Sequence, residues 1–222
     1  MSVPNWIDQR YALATVALGS ASAVMGLLAH RHDTFPLDTK AMEQVQRIGS
    51  RYEPIAEVFN EFNWLIAMTA FAVGAIVLLV RRRPDGTLIF ILAAGLRPYL
   101  NEFKALVDRP RPSGDFPVLD VVGNSSFPSG HVMTAVAYLG LLFILAPQIL
   151  PRSFVTPARV AAVVVMLLYA LSRMWAGVHW LSDTYGAVLW SATLLALLLA
   201  FRPALGQVCD RAIESWHAQR ST

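Results

Sequence analysis

The sequence predicts an all-α polytopic membrane protein, one bundle over residues 1–222 with six transmembrane helices. Three observations predict it. The chain is 55% hydrophobic and only 15% charged, whereas a soluble domain carries about 25% charged residues. Its mean hydropathy is +0.49. Its apolar residues gather in windows that approach the ~17–25 residues needed to cross a bilayer, with charges collected at the window edges.

The first window runs from Tyr11 to Ala29. Gly19, Ser20, Ala21, Ser22 and Ala23 give it a small-residue patch suited to close helix packing. No small-residue cleavage site leads from it into a soluble domain, so it reads as an uncleaved first span. His30-Arg31-His32-Asp33 ends it; these two histidines lack a third ligand and read as a wet interface. Residues 34–63 are amphipathic. Met42, Val45, Ile48, Tyr52, Ile55, Phe59 and Phe62 recur at helical spacing opposite Glu43, Glu53, Glu57 and Glu61. That periodicity predicts one helix, or two broken near Gly49-Ser50 and Pro54, lying on the bundle or at the interface.

Trp64 to Val80 is the second span, stopped by Arg81-Arg82-Arg83-Pro84. Residues 87–107 are the third. This span begins apolar and then admits Arg97, Asn101 and Lys104, which share one face with Asp108. A polar seam inside a span faces the bundle interior. Residues 108–130 form a long loop rich in proline, glycine and aspartate, of a length that is often functional. His131 to Pro147 is the fourth span, with Ser129 at its N-cap. Residues 158–176 and 181–201 are the fifth and sixth, the last led by Asp183.

The net charge of +3 is spread without a long basic patch, so nucleic-acid binding is not expected. Cys209 is the sole cysteine, which excludes an intramolecular disulfide and a thiolate metal cluster. Six spans put both termini on one side, together with Arg10, Arg81, Arg82, Arg83, Arg152, Arg159, Arg202, Arg211 and Arg220. The positive-inside rule makes that side cytoplasmic. Lys104, His131 and His179 then meet on the extracytoplasmic face, and a bacterial inner membrane is the expected setting.

The chemistry centres on Ser172 to Asp183, which brings Arg173, His179 and Asp183 to the edge of apolar segments. Charge there is expensive without a partner or a task. On a helix, His179 and Asp183 share a face, and the carboxylate accepts a hydrogen bond from one imidazole nitrogen. That fixes the tautomer and leaves the other nitrogen to attack or to bind a metal. Arg173 offers a planar fork of donors for an oxyanion. A helix starting after Ser129 would turn the N–H groups of Gly130 and His131 toward the same site, an arrangement that binds phosphate.

Three motifs carry a family resemblance. Lys104 followed by six residues and Arg111-Pro112, then Pro128-Ser129-Gly130-His131, then Ser172-Arg173, His179 and Asp183 are similar to the three motifs of the type 2 phosphatidic acid phosphatase family. The resemblance covers about 80 residues, Lys104 to Asp183, without departure at the defining positions. It implies a helical membrane core and a metal-independent phosphohydrolase with no cofactor, working through a phosphohistidine. It assigns His179 as nucleophile, Asp183 as its orienting acid and His131 as general acid. Lys104, Arg111, Arg173, Ser129 and Gly130 would hold the phosphate oxygens. Arg109, Asn101 and Tyr169 are expected at the rim. Asp115 and Asp120 read as loop polarity.

The resemblance and the spans imply a membrane lipid phosphate or diphosphate as substrate. Undecaprenyl diphosphate ranks first, then phosphatidylglycerophosphate and phosphatidate. A lipid-phosphate transporter or non-catalytic binding protein is the reading of another class. Carriers often show two repeated halves, and none is evident here. Two histidines and an aspartate could also ligate zinc, but Lys104, Arg111 and Arg173 would repel it.

Overall fold

Helices form where the apolar windows predict them, because a backbone in hydrocarbon must satisfy its own hydrogen bonds. The computed structural model describes residues 6–49, 54, 57–59, 63–95, 99–113, 116–120, 123 and 125–220. Among the described residues the elements are α1 (Gln9–Arg31), α2 (Asp38–Gly49), α3 (Asn63–Val80), α4 (Pro84–Gly95), α5 (Tyr99–Val107), α6 (Gly130–Ile149), α7 (Arg152–Trp175), α8 (Leu181–Ala200) and α9 (Arg202–Arg220). Arg97, Tyr52, Ile55, Phe62 and Asp115 lie outside the described residues, as does the side chain of Asn101.

Four helices, α1, α6, α7 and α8, are long and apolar enough to cross a membrane. The expected second and third spans appear as shorter apolar segments, Phe71–Val80 and Pro84–Gly95. The six-span count therefore rests on sequence alone. The third window divides into α4 and α5, and α5 carries the polar seam. Helix α7, the expected fifth span, begins at Arg152 and takes Pro157 inside it. The proline lacks the N–H that would otherwise bond the Ser153 carbonyl, and the helix continues past it.

Burial separates the interior helices from the lipid-facing ones. In the apolar windows of α6 and α8, 44% and 56% of residues are buried, against 17% and 11% in α1 and α7. The α1 helix lies along α8, with Gly19 and Ser22 at Thr193, while Gly26 and Ala29 on the same helix face Phe103 and Phe127. Ser22 meets Thr193 at 3.0 Å, hydroxyl to hydroxyl. Gly19 and Ser22 of the predicted small patch thus make the close contact with α8, whereas Ser20, Ala21 and Ala23 face outward.

Leu78, Ile89, Phe90, Leu141, Leu145, Ile149, Leu195 and Leu199 form the largest core cluster, at one end of the bundle. The same end holds the start of α1, where the Asp8 N–H donates to the Ala200 carbonyl. It also holds an Arg202–Asp85 ion pair at 2.7 Å. The other end gathers Lys104, Ser129, Arg173 and His179. Helix α2 lies across that end: Met42 is buried against Met174 and Trp180, and Gln46 donates to the carbonyls of Pro117 and Trp175. The amphipathic reading of this segment holds for Met42 and Val45, whereas Ile48 faces outward.

Candidate active site

The site is assembled from three chain breaks that meet at one end of the bundle. The first is the turn between α7 and α8. Helix α7 ends at Trp175, and Gly177 adopts φ +73°. A Cβ there would overlap the Pro117 carbonyl oxygen. Leu119 N–H donates to the Ala176 carbonyl at 2.9 Å, so the 108–130 loop is laid on this turn. Gly177→Ala meets both a left-handed backbone penalty of about 1–2 kcal/mol and that clash. It is expected to lower the melting temperature in detergent and to cut activity by displacing His179.

Helix α8 starts at Leu181, so His179 precedes the helix. The expected helical pairing of His179 with Asp183 is replaced by an N-terminal turn. The Asp183 Oδ2 atom accepts the Trp180 N–H at 2.8 Å, and the His179 Nδ1 atom lies 3.4 Å from the same oxygen. This is ion-pair range without hydrogen-bond geometry; such contacts tighten when substrate binds. On the far side of the ring, Arg111 Nη1 lies 3.4 Å from His179 Nε2. Guanidinium can only donate, so Nε2 keeps its lone pair and Nδ1 carries the proton. That tautomer is the one a nucleophile requires.

The second break is the loop after α5. Arg111 donates to the Val178 carbonyl at 2.6 Å and to the Gly123 carbonyl. Lys104 sits on α5, its carbonyl accepting from the Ser125 hydroxyl at 2.9 Å. The third break is the start of α6. Phe127 packs so closely on Gly186 of α8 that any side chain there would overlap its ring. The Ser129 N–H donates to the Asp183 carbonyl at 3.2 Å, tying this turn to α8. Ser129 occupies the N-cap position as predicted, yet its hydroxyl makes no capping bond. It is buried and without a hydrogen-bond partner among the described residues, available to an oxyanion beside the helix N-terminus.

Arg173 is fully buried at the end of α7, with Nη2 2.9 Å from the Asp120 carboxylate. Asp120 is therefore a site residue and not loop polarity. Burial, then Lys104, Arg111, Arg173 and His131 in that order, hold the His179 imidazole well below its ordinary 6.5. Burial likewise lowers Arg111. Of the predicted site groups, Arg111 and Asp183 lie 3.4 Å from the His179 ring, and Lys104, Arg173 and His131 act on it electrostatically.

Two rim assignments are corrected. Tyr169 is buried in the helical core, edge-on to Phe59 at 5.1 Å, because its ring is worth more packed than wet. Arg109 is not at the rim; it is fully buried beneath the site. Its Nη1 donates to Asp183 Oδ1 at 2.6 Å and to the Ser182 hydroxyl at 2.7 Å, and its Nη2 to Asp38 Oδ2 at 2.8 Å. Phe35 stacks beneath the guanidinium at 5.0 Å. Sequence reasoning missed Asp38 altogether. Its only local signal was an acid at the start of an amphipathic helix, facing a partner 71 residues away.

The PAP2 superfamily model matches residues 86–207. Phosphatidylglycerophosphatase B of Bacillus subtilis (strain 168) is 31% identical over 134 residues. That match covers 58% of this chain and 64% of the relative, so the chain spans less than two thirds of the relative's length. Among solved structures, a transmembrane PAP2 type phosphatidylglycerolphosphate phosphatase from Bacillus subtilis aligns at 25% identity with a TM-score of 0.49. The alignment covers 86% of this chain and 90% of that one.

Proposed function

Since the chain belongs to the PAP2 superfamily, we propose that it is a metal-independent lipid phosphatase, with phosphatidylglycerophosphate as the first substrate to test. The observation that carries the reading is the convergence on one neutral histidine of Lys104, Arg111, Arg173 and His131, with Asp183 behind it. Such a site neutralises three phosphate oxygens and offers a lone pair in line with phosphorus. The name of the Bacillus relative supports the headgroup. Undecaprenyl diphosphate, ranked first from the sequence, stays beside it as the second substrate.

In the proposed reaction the His179 Nε2 lone pair attacks phosphorus and the bond to the lipid oxygen breaks. His131 gives its proton to that oxygen. Asp183 stabilises the positive charge that develops on the imidazole. The Ser129 hydroxyl and the N–H groups at the start of α6 join the three cations on the non-bridging oxygens. Water, deprotonated by His131, then cleaves the phosphohistidine, releasing inorganic phosphate and restoring both histidines. Arg81, Arg82, Arg83, Arg152, Arg202 and Arg211 lie toward the opposite end of the bundle. The positive-inside rule then puts the site on the extracytoplasmic face of a bacterial inner membrane.

The test is phosphate release by purified protein in detergent with excess chelator, on phosphatidylglycerophosphate, undecaprenyl diphosphate and phosphatidate side by side. Chelator-resistant release is expected, greatest on the first. Chelator-sensitive release would overturn the metal-free mechanism, and no release from any lipid would favour a carrier or binding protein.

A pH dependence follows. Only neutral His179 attacks, and its protonation lies well below 6.5. The acid limb of kcat/KM is therefore expected below pH 6.5, with activity retained as pH falls through that value. Arg111→Gln removes one of the charges opposing protonation and should move this limb upward while lowering kcat/KM. A limb at or above 6.5 in the unmutated enzyme would contradict the assignment.

A further inference from the structure

We propose that Asp38, reaching down from α2, is a positioning residue for the reaction: with Arg109 and Ser182 it fixes the orientation of Asp183 and adds to the negative charge of the cluster behind it, and so sets the behaviour of His179. This deepens the phosphatase reading and rests on it for its catalytic consequence. Asp38 is 1% exposed, and every hydrogen bond found at its carboxylate points into the same cluster. Oδ1 accepts the Ser182 N–H at 2.9 Å. Oδ2 accepts the Ser182 hydroxyl at 2.7 Å, Arg109 Nη2 at 2.8 Å and the Phe35 N–H at 2.9 Å. The Ser182 hydroxyl also accepts from Arg109 Nη1 at 2.7 Å. Arg109 is thus held from below by Asp38, Ser182, the Asp33 carbonyl and the Phe35 ring, with Nη1 aimed at Asp183 Oδ1.

The consequence for Asp183 is geometric. Oδ1 is taken by Arg109 and faces Ser126 at 3.4 Å, and Oδ2 holds the Trp180 N–H. The carboxylate cannot turn without breaking one of these bonds, and they hold Oδ2 at 3.4 Å from His179 Nδ1. The charge count matters equally. Two carboxylates share one guanidinium, so the cluster carries a net negative charge behind the imidazole. Without Asp38 the cluster would be neutral, and less favourable to the positive ring formed on phosphoryl transfer. The other charged groups facing His179 are Lys104 from α5, Arg111 from the loop, Arg173 from α7 and His131 from α6. All oppose its protonation, so the Asp183 cluster is the group that favours it.

Helix α2 joins this cluster to the membrane-surface side of the bundle. Its face carries Asp38, Met42, Val45 and Gln46, which contact α8, the Met174–Trp180 cluster, the end of α7 and the 108–130 loop. The seating of α2 is thereby tied to the orientation of Asp183.

The experiment compares the full-length protein with Asp38→Asn and Ser182→Ala by two readouts. The first is nitrogen NMR of labelled histidine, with His179 assigned by its loss in His179→Gln; this needs no turnover. The second is the pH profile and the split between kcat and KM on phosphatidylglycerophosphate. Asp38→Asn is expected to move the His179 titration to lower pH, weaken its Nδ1–H tautomer, and lower kcat about tenfold or more with little change in KM. Ser182→Ala keeps the backbone N–H to Asp38 and should give a smaller shift in the same direction. A structural role alone would lower the active fraction and leave the titration and pH profile in place; that result overturns the proposal. An unmoved titration in a folded variant overturns it as well. If the unmutated protein releases no phosphate, the phosphatase reading fails separately, and the titration shift still decides whether Asp38 acts on His179.

Discussion

His179→Ala is expected to reduce phosphate release from every lipid phosphate by about ten-thousand-fold or more, the scale on which removing a covalent nucleophile is felt. No neighbour can replace it. Lys104, Arg111 and Arg173 are cations, without a lone pair to attack phosphorus. Asp183 is buried and bound by Arg109 and the Trp180 N–H. The contrast with His131→Ala separates attack from departure. Loss of a general acid lowers the rate by about 10²–10⁴-fold, and only where the leaving oxygen needs a proton. With an aryl phosphate of low leaving-group pKa, His131→Ala should recover the first step and His179→Ala should not. Acid-labile and alkali-stable trapping of labelled phosphate on the protein distinguishes phosphohistidine from phosphoester adducts. Labelled phosphoenzyme that persists in His179→Ala would move the nucleophile elsewhere.

Arg109→Met is expected to be the most damaging change outside the reacting groups. It leaves Asp38 and Asp183, at 1% and 0% exposure, as two buried carboxylates without their cation. Removing one partner from a buried ion pair is worth about 3–5 kcal/mol. The variant should therefore melt well below the unmutated protein in detergent, and its residual folded fraction should have little activity because Asp183 is free to turn. Arg109→Lys keeps the charge but not the fork, so it cannot serve Asp183, Ser182 and Asp38 together and should fall between the two. Adding Asp38→Asn to Arg109→Met removes one of the stranded charges and should recover part of the lost stability. An Arg109→Met protein with unchanged melting would show that the buried pairs contribute nothing net.

The two effects are coupled through α8. Its first turn presents Ser182 and Asp183 to Arg109, and its second turn leaves Gly186 bare so that Phe127 can bring Ser129 alongside. One helix start thus carries Asp183, holds the buried Arg109 of the loop and anchors the turn at Ser129.

Much of this was legible in the sequence. The apolar windows determined the membrane helices, because a bilayer admits few other backbone structures. The spacings Lys104 to Arg111, Pro128 to His131 and Ser172 to Asp183 identified the groups that meet at His179, since each motif falls at a chain break and chain breaks at one end of a bundle converge. What only the tertiary structure decided lies in contacts between distant segments. The pairing of Asp38 with Arg109 joins residues 71 apart, and no local periodicity encodes it. Arg109 stands two residues before Arg111 and before a proline of its own; the spacing from Lys104 singled out Arg111, but nothing local showed that Arg109 turns under the Asp183 carboxylate and not to the rim. Burial decides between them: Arg109 is enclosed by Asp38, Asp183 and Phe35, whereas Arg111 remains partly exposed beside His179. The His179–Asp183 contact followed the same rule. The residues were evident from their spacing, but the N-terminal turn of α8, not a shared helical face, sets how they meet.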